Sequence, residues 1–305
     1  MSFEVPTDSR SEYYNSVCRK TELLIKNNIL VGIKHFQLRA WLNNFESTRE
    51  QYLAAHLLDA MIYRSDDMLK SMLRHLLEME LPAALEECGY DTSSSMRNFL
   101  DSLSSASDNG SIKFVALDGE FDRVPGKSGA AIIRDLRDSG LVNKIKTVRP
   151  ENVVTLPDKI KYLVMIDDFV GTGSQFEKFA NHYDIESWAK KFKLIYLSYM
   201  AYEDGLKSIK DKFPYITLRC GELLSTANNF FAASKIDSNL WGRDSYNSVD
   251  DVKKFYDGVL KKKGISDTVK LFDLGLTVVT SMSVPNNTLK AYWSDKGQWS
   301  PIRSR

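Results

Sequence analysis

The chain has 305 residues, 41 Lys and Arg against 40 Asp and Glu, and a net charge of +1. That length suits one sizeable α/β domain with a smaller attachment. The near-neutral balance gives no global field toward nucleic acid or an anionic membrane.

Nothing in the sequence approaches the ~20 apolar residues that span a bilayer, and Met1–Pro6 lacks a basic region followed by an apolar run. The chain reads as soluble and cytoplasmic. Its cysteines, Cys18, Cys88 and Cys220, are far apart and odd in number, as reduced thiols would be. The histidines, His35, His56, His75 and His182, show no metal spacing. No dedicated metal site is expected.

From about Ser11 to Leu81 the pattern is helical. Leu53, Leu57, Leu58, Met61 and Ile62 recur at three- and four-residue intervals, and Leu69, Met72, Leu73, Leu76 and Leu77 repeat that period. Ser47-Thr48-Arg49-Glu50 has the form of a capping box, in which serine oxygen and glutamate carboxylate satisfy free amides at a helix start. Turn formers in Asp91–Ser95 and Ser102–Ser111 mark a change of character. The expected division is a helical module over residues 1–105 and an α/β domain over 106–305.

Ile112–Leu117 is a short β-type run, and helical periodicity resumes at Ala130–Leu136. Tyr162–Ile166 is an apolar strand that ends in two carboxylates, followed by a glycine turn and a helix over Gln175–His182. Leu194–Tyr199 and Tyr215–Leu218 are further strands, with a helix over Asp204–Lys212 between them. Alternating strand and helix predict a mainly parallel sheet flanked by helices. Lys261-Lys262-Lys263 ends a helix begun near Val252, where cations meet its negative pole as a solvated cap.

The chemistry concentrates in Asp167-Asp168-Phe169-Val170-Gly171-Thr172-Gly173-Ser174. A buried parallel strand delivers its last residues to the crevice where open α/β sheets bind ligands. The glycines let successive backbone N–H groups face a phosphate at a helix start, and carboxylates before them can accept hydrogen bonds from ribose hydroxyls. A Gly-x-Gly by itself is only a tight turn. The strand, the two acids and the following helix make this one specific.

The segment resembles the phosphoribosyl-pyrophosphate motif of type I phosphoribosyltransferases. It differs from a Walker A loop in having no lysine after the second glycine. The resemblance implies that Asp167 and Asp168 are the ribose-hydroxyl ligands and Val170, Gly171, Thr172, Gly173 and Ser174 the 5′-phosphate loop.

After the first strand comes Asp118–Gly129, where such a fold places its pyrophosphate loop. Arg123, whose planar fork matches phosphate oxygens, Gly126, Lys127, Ser128 and Gly129 are the candidate contacts, against the alternative of a long polar turn. Asp118, Glu120 and Asp122 alternate in a way that could reach a metal-bound water, although their spacing is irregular and the turn they occupy is unknown.

Near the C-terminus, Pro285-Asn286-Asn287-Thr288-Leu289 is followed by Trp293. With the central motif and the N-terminal Trp41-Leu42 and Phe45, it is similar to the phosphoribosyltransferase-like effectors of bacterial conflict and phage-defence systems. On that likeness Asn286 and Asn287 would read a base or close the site; by themselves they are a turn after proline.

The resemblance implies displacement of pyrophosphate from the anomeric carbon through an oxocarbenium-like transition state, with Mg2+ held mainly through the ligand's phosphates. The ligand would be phosphoribosyl pyrophosphate or a nucleotide-like molecule, with a defence-system protein as a candidate partner. Gly140–Asp158 departs from metabolic members in having no obvious flexible catalytic loop. Three roles follow: an enzymatic effector, a catalytically idle nucleotide sensor, and a structural partner in a defence complex.

Overall fold

The computed structural model describes residues 3–6, 12–91, 95–117, 128–232, 246–265 and 274–304. The chain forms two compact units, one of Met1–Met68 with Ser225–Arg305 and one of Leu69–Leu224. This partition differs from the linear one at residue 105. The C-terminal segment pairs with the N-terminal one, and a long-range pairing of that kind leaves no mark on local sequence.

The first unit begins with helices α1 (Glu12–Lys26), α2 (His35–Leu42) and α3 (Thr48–Ala60) and the short strand β1 (Ile62–Arg64). The capping box forms: the Ser47 N–H donates to Glu50 Oε2 at 2.9 Å, and the Glu50 N–H donates to Ser47 Oγ. After β1 the unit resumes with α11 (Val249–Lys262), β7 (Val278–Thr280) and α12 (Lys290–Trp293). β1 and β7 run parallel, with Tyr63 opposite Val279.

The core of this unit gathers Trp41, Leu53, Leu57, Val252, Tyr292 and Ile302. Trp41 is fully buried, and its Nε1–H donates to the Ala291 carbonyl at 2.6 Å. The lysines that end α11 are more than a solvated cap. Lys262 and Lys263 both pair with Glu46, at 2.9 and 2.6 Å, and most of the Lys263 side chain is covered.

In the second unit, helix α4 (Asp66–His75), which carries the division between the units, runs through a π-helical turn at Leu76–Glu80 into α5 (Leu81–Glu87). Helix α6 (Met96–Ser104) then leads to strand β2 (Ile112–Ala116), helix α7 (Ser128–Asp138) and strand β3 (Thr147–Val148). The order continues with β4 (Tyr162–Val170), α8 (Ser174–His182), α9 (Ile185–Ala189), β5 (Lys193–Tyr202), α10 (Glu203–Lys212) and β6 (Ile216–Leu224).

The sheet order is β3-β2-β4-β5-β6, and every pairing is parallel. The fold is therefore α/β, a parallel sheet flanked by helices. One face packs Phe114, Val164, Ile166, Ile195 and Leu197 beneath the helices from α4 to α7. The other packs Leu163, Met165, Phe176, Phe179, Trp188 and Tyr196. The nearly continuous apolar strands seen in the sequence follow from burial on both faces.

The chain moves from β2 outward to β3, then returns to the other side of β2 with β4. That reversal is a topological switch point, and the carboxyl ends of β2 and β4 flank it. Gly140–Asp158, the span without an obvious flexible loop, holds β3 between two 3-10 turns, Lys144–Lys146 and Pro150–Thr155.

Candidate functional site

Strand β4 continues past its apolar stretch and carries both acids to its carboxyl end. There the chain turns through Gly171, Thr172 and Gly173 into α8. Gly173 has φ of 81°, a left-handed conformation that a side chain strains. Thr172 Oγ1–H donates to Ser174 Oγ at 3.0 Å. The first-turn amides of α8 have no acceptor within their own helix and supply donors at this edge of the sheet.

The turn is propped from beneath by α10. A Cβ on Gly205 would overlap the Gly171 carbonyl oxygen, and one on Gly173 would stand 3.0 Å from both the Gly205 oxygen and Ile209 Cγ1. Two backbones therefore pass at a distance that only glycine permits. Sequence reading missed Gly205, because a glycine in a helical pattern signals nothing until its neighbour across space is known.

The two acids differ in environment. Asp167 is 1% exposed. Its Oδ2 accepts the Tyr196 hydroxyl at 3.0 Å, and its Oδ1 accepts the Asp168 backbone N–H at 3.0 Å. Burial, with the charge and hydrogen bonding of Asp168 added, pushes the Asp167 carboxyl well above the usual carboxylate range. Asp168 is half-buried. Burial also raises the Tyr199 hydroxyl, with the charges of Asp135 on α7 and Asp168 adding to it.

Tyr196 is itself held by α8, since the Phe176 ring stacks on it with centroids 4.6 Å apart. Ser198 lies opposite Asp167 in register, its buried hydroxyl without a hydrogen-bond partner among the described residues. Tyr196, Ser198 and Asp135 were not read from the sequence as site residues. Strand alternation would have put Tyr196 and Ser198 on one face, but only the pairing of β4 with β5 sets that face against Asp167.

The remaining candidates are placed unequally. Arg123, Gly126 and Lys127, with Asp118, Glu120 and Asp122, lie outside the described residues. Ser128 opens α7. A Cβ on Gly129 would overlap the Leu117 carbonyl, so this glycine permits close packing of α7 on the end of β2. Asn286 and Asn287 belong to the first unit. Asn286 is exposed in a turn; Asn287 is buried, and its carbonyl accepts the Leu276 N–H at 3.3 Å.

Among the described residues no group of three His, Cys, Asp or Glu side chains could hold a metal ion. None of the described helices is long and apolar enough to cross a membrane.

The geometry thus combines a glycine turn at a helix start, a preceding acid pair and a topological switch point in one parallel sheet. The family model PRTase-CE, a phosphoribosyltransferase-like effector domain, matches residues 38–305. The chain belongs to this family. No curated protein matches it. Among solved structures, the PRTase-CE chain is similar to the AQ2163 protein of Aquifex aeolicus at 18% identity, over 57% of this chain and 84% of that one. The TM-score is 0.34, a likeness too loose to bear on fold or function.

Proposed function

We propose that the crevice at the carboxyl end of β4 binds a 5-phosphorylated ribosyl ligand, of the class of phosphoribosyl pyrophosphate or a nucleotide. The observation that carries this reading is the Gly171–Ser174 turn, which opens α8 directly after a strand ending in two acids. Backbone amides of the turn and of the first turn of α8 would hold the 5′-phosphate, with the Val170 backbone leading into them. The acidic end of β4 would receive the ribose hydroxyls. The reading agrees with a phosphoribosyltransferase-like effector family.

In transfer, the bond from the anomeric carbon to the pyrophosphate oxygen would break as the acceptor's nucleophile forms its own bond there. The electron pair would depart with pyrophosphate. The sugar carries positive charge in such a transition state, and an adjacent carboxylate lowers its energy.

A cation delivered on the ligand rather than caged by protein is the proposal here, since Asp167 is already engaged by Tyr196 and the Asp168 amide. Bound magnesium would supply neutralisation of the leaving pyrophosphate. The protein's own share is to bind the phosphate, orient the ribose and keep the acids in place. Arg123, Gly126, Lys127 and Ser128 are proposed for the pyrophosphate.

The chain is further proposed to act as an effector in bacterial anti-phage defence, with a protein partner of the same system. A second reading, a nucleotide sensor without turnover, is favoured by Gly140–Asp158, which holds an edge strand and two 3-10 turns.

Calorimetric titration with phosphoribosyl pyrophosphate and Mg2+, in competition with ribose 5-phosphate, AMP and inorganic pyrophosphate, tests the ligand class. Saturable binding displaced by the phosphorylated ribosides supports it, and absence of heat with every member of the series defeats it. Pyrophosphate release on adding an acceptor then separates the effector from the sensor.

A further inference from the structure

Tyr196 has no place in the motif, yet it joins the two halves of the site. Its ring stacks on Phe176, in the first turn of α8. Its hydroxyl donates to Asp167 Oδ2 at 3.0 Å. The second oxygen of Asp167 accepts the Asp168 N–H. A continuous set of contacts thus runs from the helix behind the glycine turn, through Tyr196 and Asp167, to the backbone of Asp168.

Asp167 is poorly placed to meet a ligand. It is 1% exposed, and both its oxygens are committed inside the sheet. A buried carboxyl held in this way keeps its neighbours in one arrangement more readily than it exchanges them for a sugar hydroxyl. Asp168 is the acid that retains solvent access.

We infer that Asp167 and Tyr196 are positioning residues that fix the Asp168 backbone relative to the phosphate turn, and that Asp168 is the carboxylate of the pair that meets the ribose hydroxyls. The inference deepens the ribosyl-ligand reading and rests on it. It assigns Tyr196 a role in affinity without contact to the ligand.

An asparagine at 167 keeps an acceptor for the Asp168 amide and a polar group for Tyr196, so the arrangement survives. An asparagine at 168 removes the charge that a sugar hydroxyl would meet. Titration of the full chain with phosphoribosyl pyrophosphate and Mg2+ separates the roles, with thermal unfolding run on each variant to verify folding.

The expected results are Asp167→Asn within about threefold of wild-type affinity, and Asp168→Asn weaker by about tenfold or more. Asp167→Leu, which offers no acceptor, should fall about tenfold or more, and Tyr196→Phe, which keeps the stack on Phe176, by about threefold to tenfold. Rescue by asparagine at 167 but not at 168 is what a merely structural contribution would not produce. Equal loss in Asp167→Asn and Asp168→Asn, or full retention in Tyr196→Phe, overturns the assignment. A wild type that does not bind instead removes the ribosyl-ligand reading itself, an outcome distinct from equal losses among variants of a binding protein.

Discussion

Gly205, in the first turn of α10, lies against the carbonyl of Gly171 so closely that a methyl group on Gly205 would overlap that oxygen. Helix propensity favours alanine over glycine by roughly 1 kcal/mol. Overpacking against rigid backbone costs about 1–3 kcal/mol. The second effect should win, so Gly205→Ala is expected to be destabilised in chemical denaturation and to lose phosphate affinity as the turn shifts. Gly258, in the middle of α11, has nothing within 4 Å of the place a methyl group would take. It gives the opposite sign: Gly258→Ala should gain roughly 0.5–1 kcal/mol.

Asp167 predicts a pH dependence of stability. Its folded pKa is raised well above the ordinary 3.8 by burial, with Asp168 contributing. The folded protein therefore binds this proton more tightly than the unfolded chain does. The contribution is fully present below about pH 3.8 and is lost as pH rises through the folded value. Asp167→Asn removes this loss, so its unfolding free energy should fall less than that of wild type as pH rises from about 4 to neutrality. Parallel curves for the two proteins would contradict the environment assigned to Asp167.

Much of this arrangement was open to sequence reading, and the exceptions have a common cause. The apolar run before Asp167, the glycines after it and the periodicity of the next helix are local signals, and β4, the turn and α8 lie where those signals fall. The Tyr196 hydroxyl reaches Asp167 only because β5 pairs with β4, with Ser198 opposite Asp167. Neither residue announces that register. The pairing of Ile62–Arg64 with Val278–Thr280 is equally silent, since three-residue strands carry too little alternation to be seen.

Trp41 tests the core of the first unit. It is fully buried, its ring stands edge-on to Phe45 and its Nε1–H bonds the Ala291 carbonyl. Trp41→Ala should cost about 3–5 kcal/mol. Trp41→Phe should cost less, because Trp299 Nε1–H also donates to the Ala291 carbonyl, at 2.9 Å, and keeps it satisfied. Denaturant midpoints of the two variants check the order.

Glu46 gives a contribution of opposite pH sense. Hydrogen bonds from Lys263 and Lys262 hold its carboxyl down to about 2. Its stabilising contribution is present above its ordinary 4.5 and is lost as pH falls toward about 2. Glu46 is exposed, so salt screens it. Glu46→Gln should flatten the acid limb of the stability curve at low ionic strength and leave it unchanged in high salt.

The phosphate turn itself is most directly tested by amide NMR of the full chain during titration with phosphoribosyl pyrophosphate and Mg2+. The account predicts saturable shifts of the Gly171, Thr172, Gly173 and Ser174 amides, reproduced by ribose 5-phosphate. Saturable shifts confined to other residues, with these four amides unmoved, would contradict it.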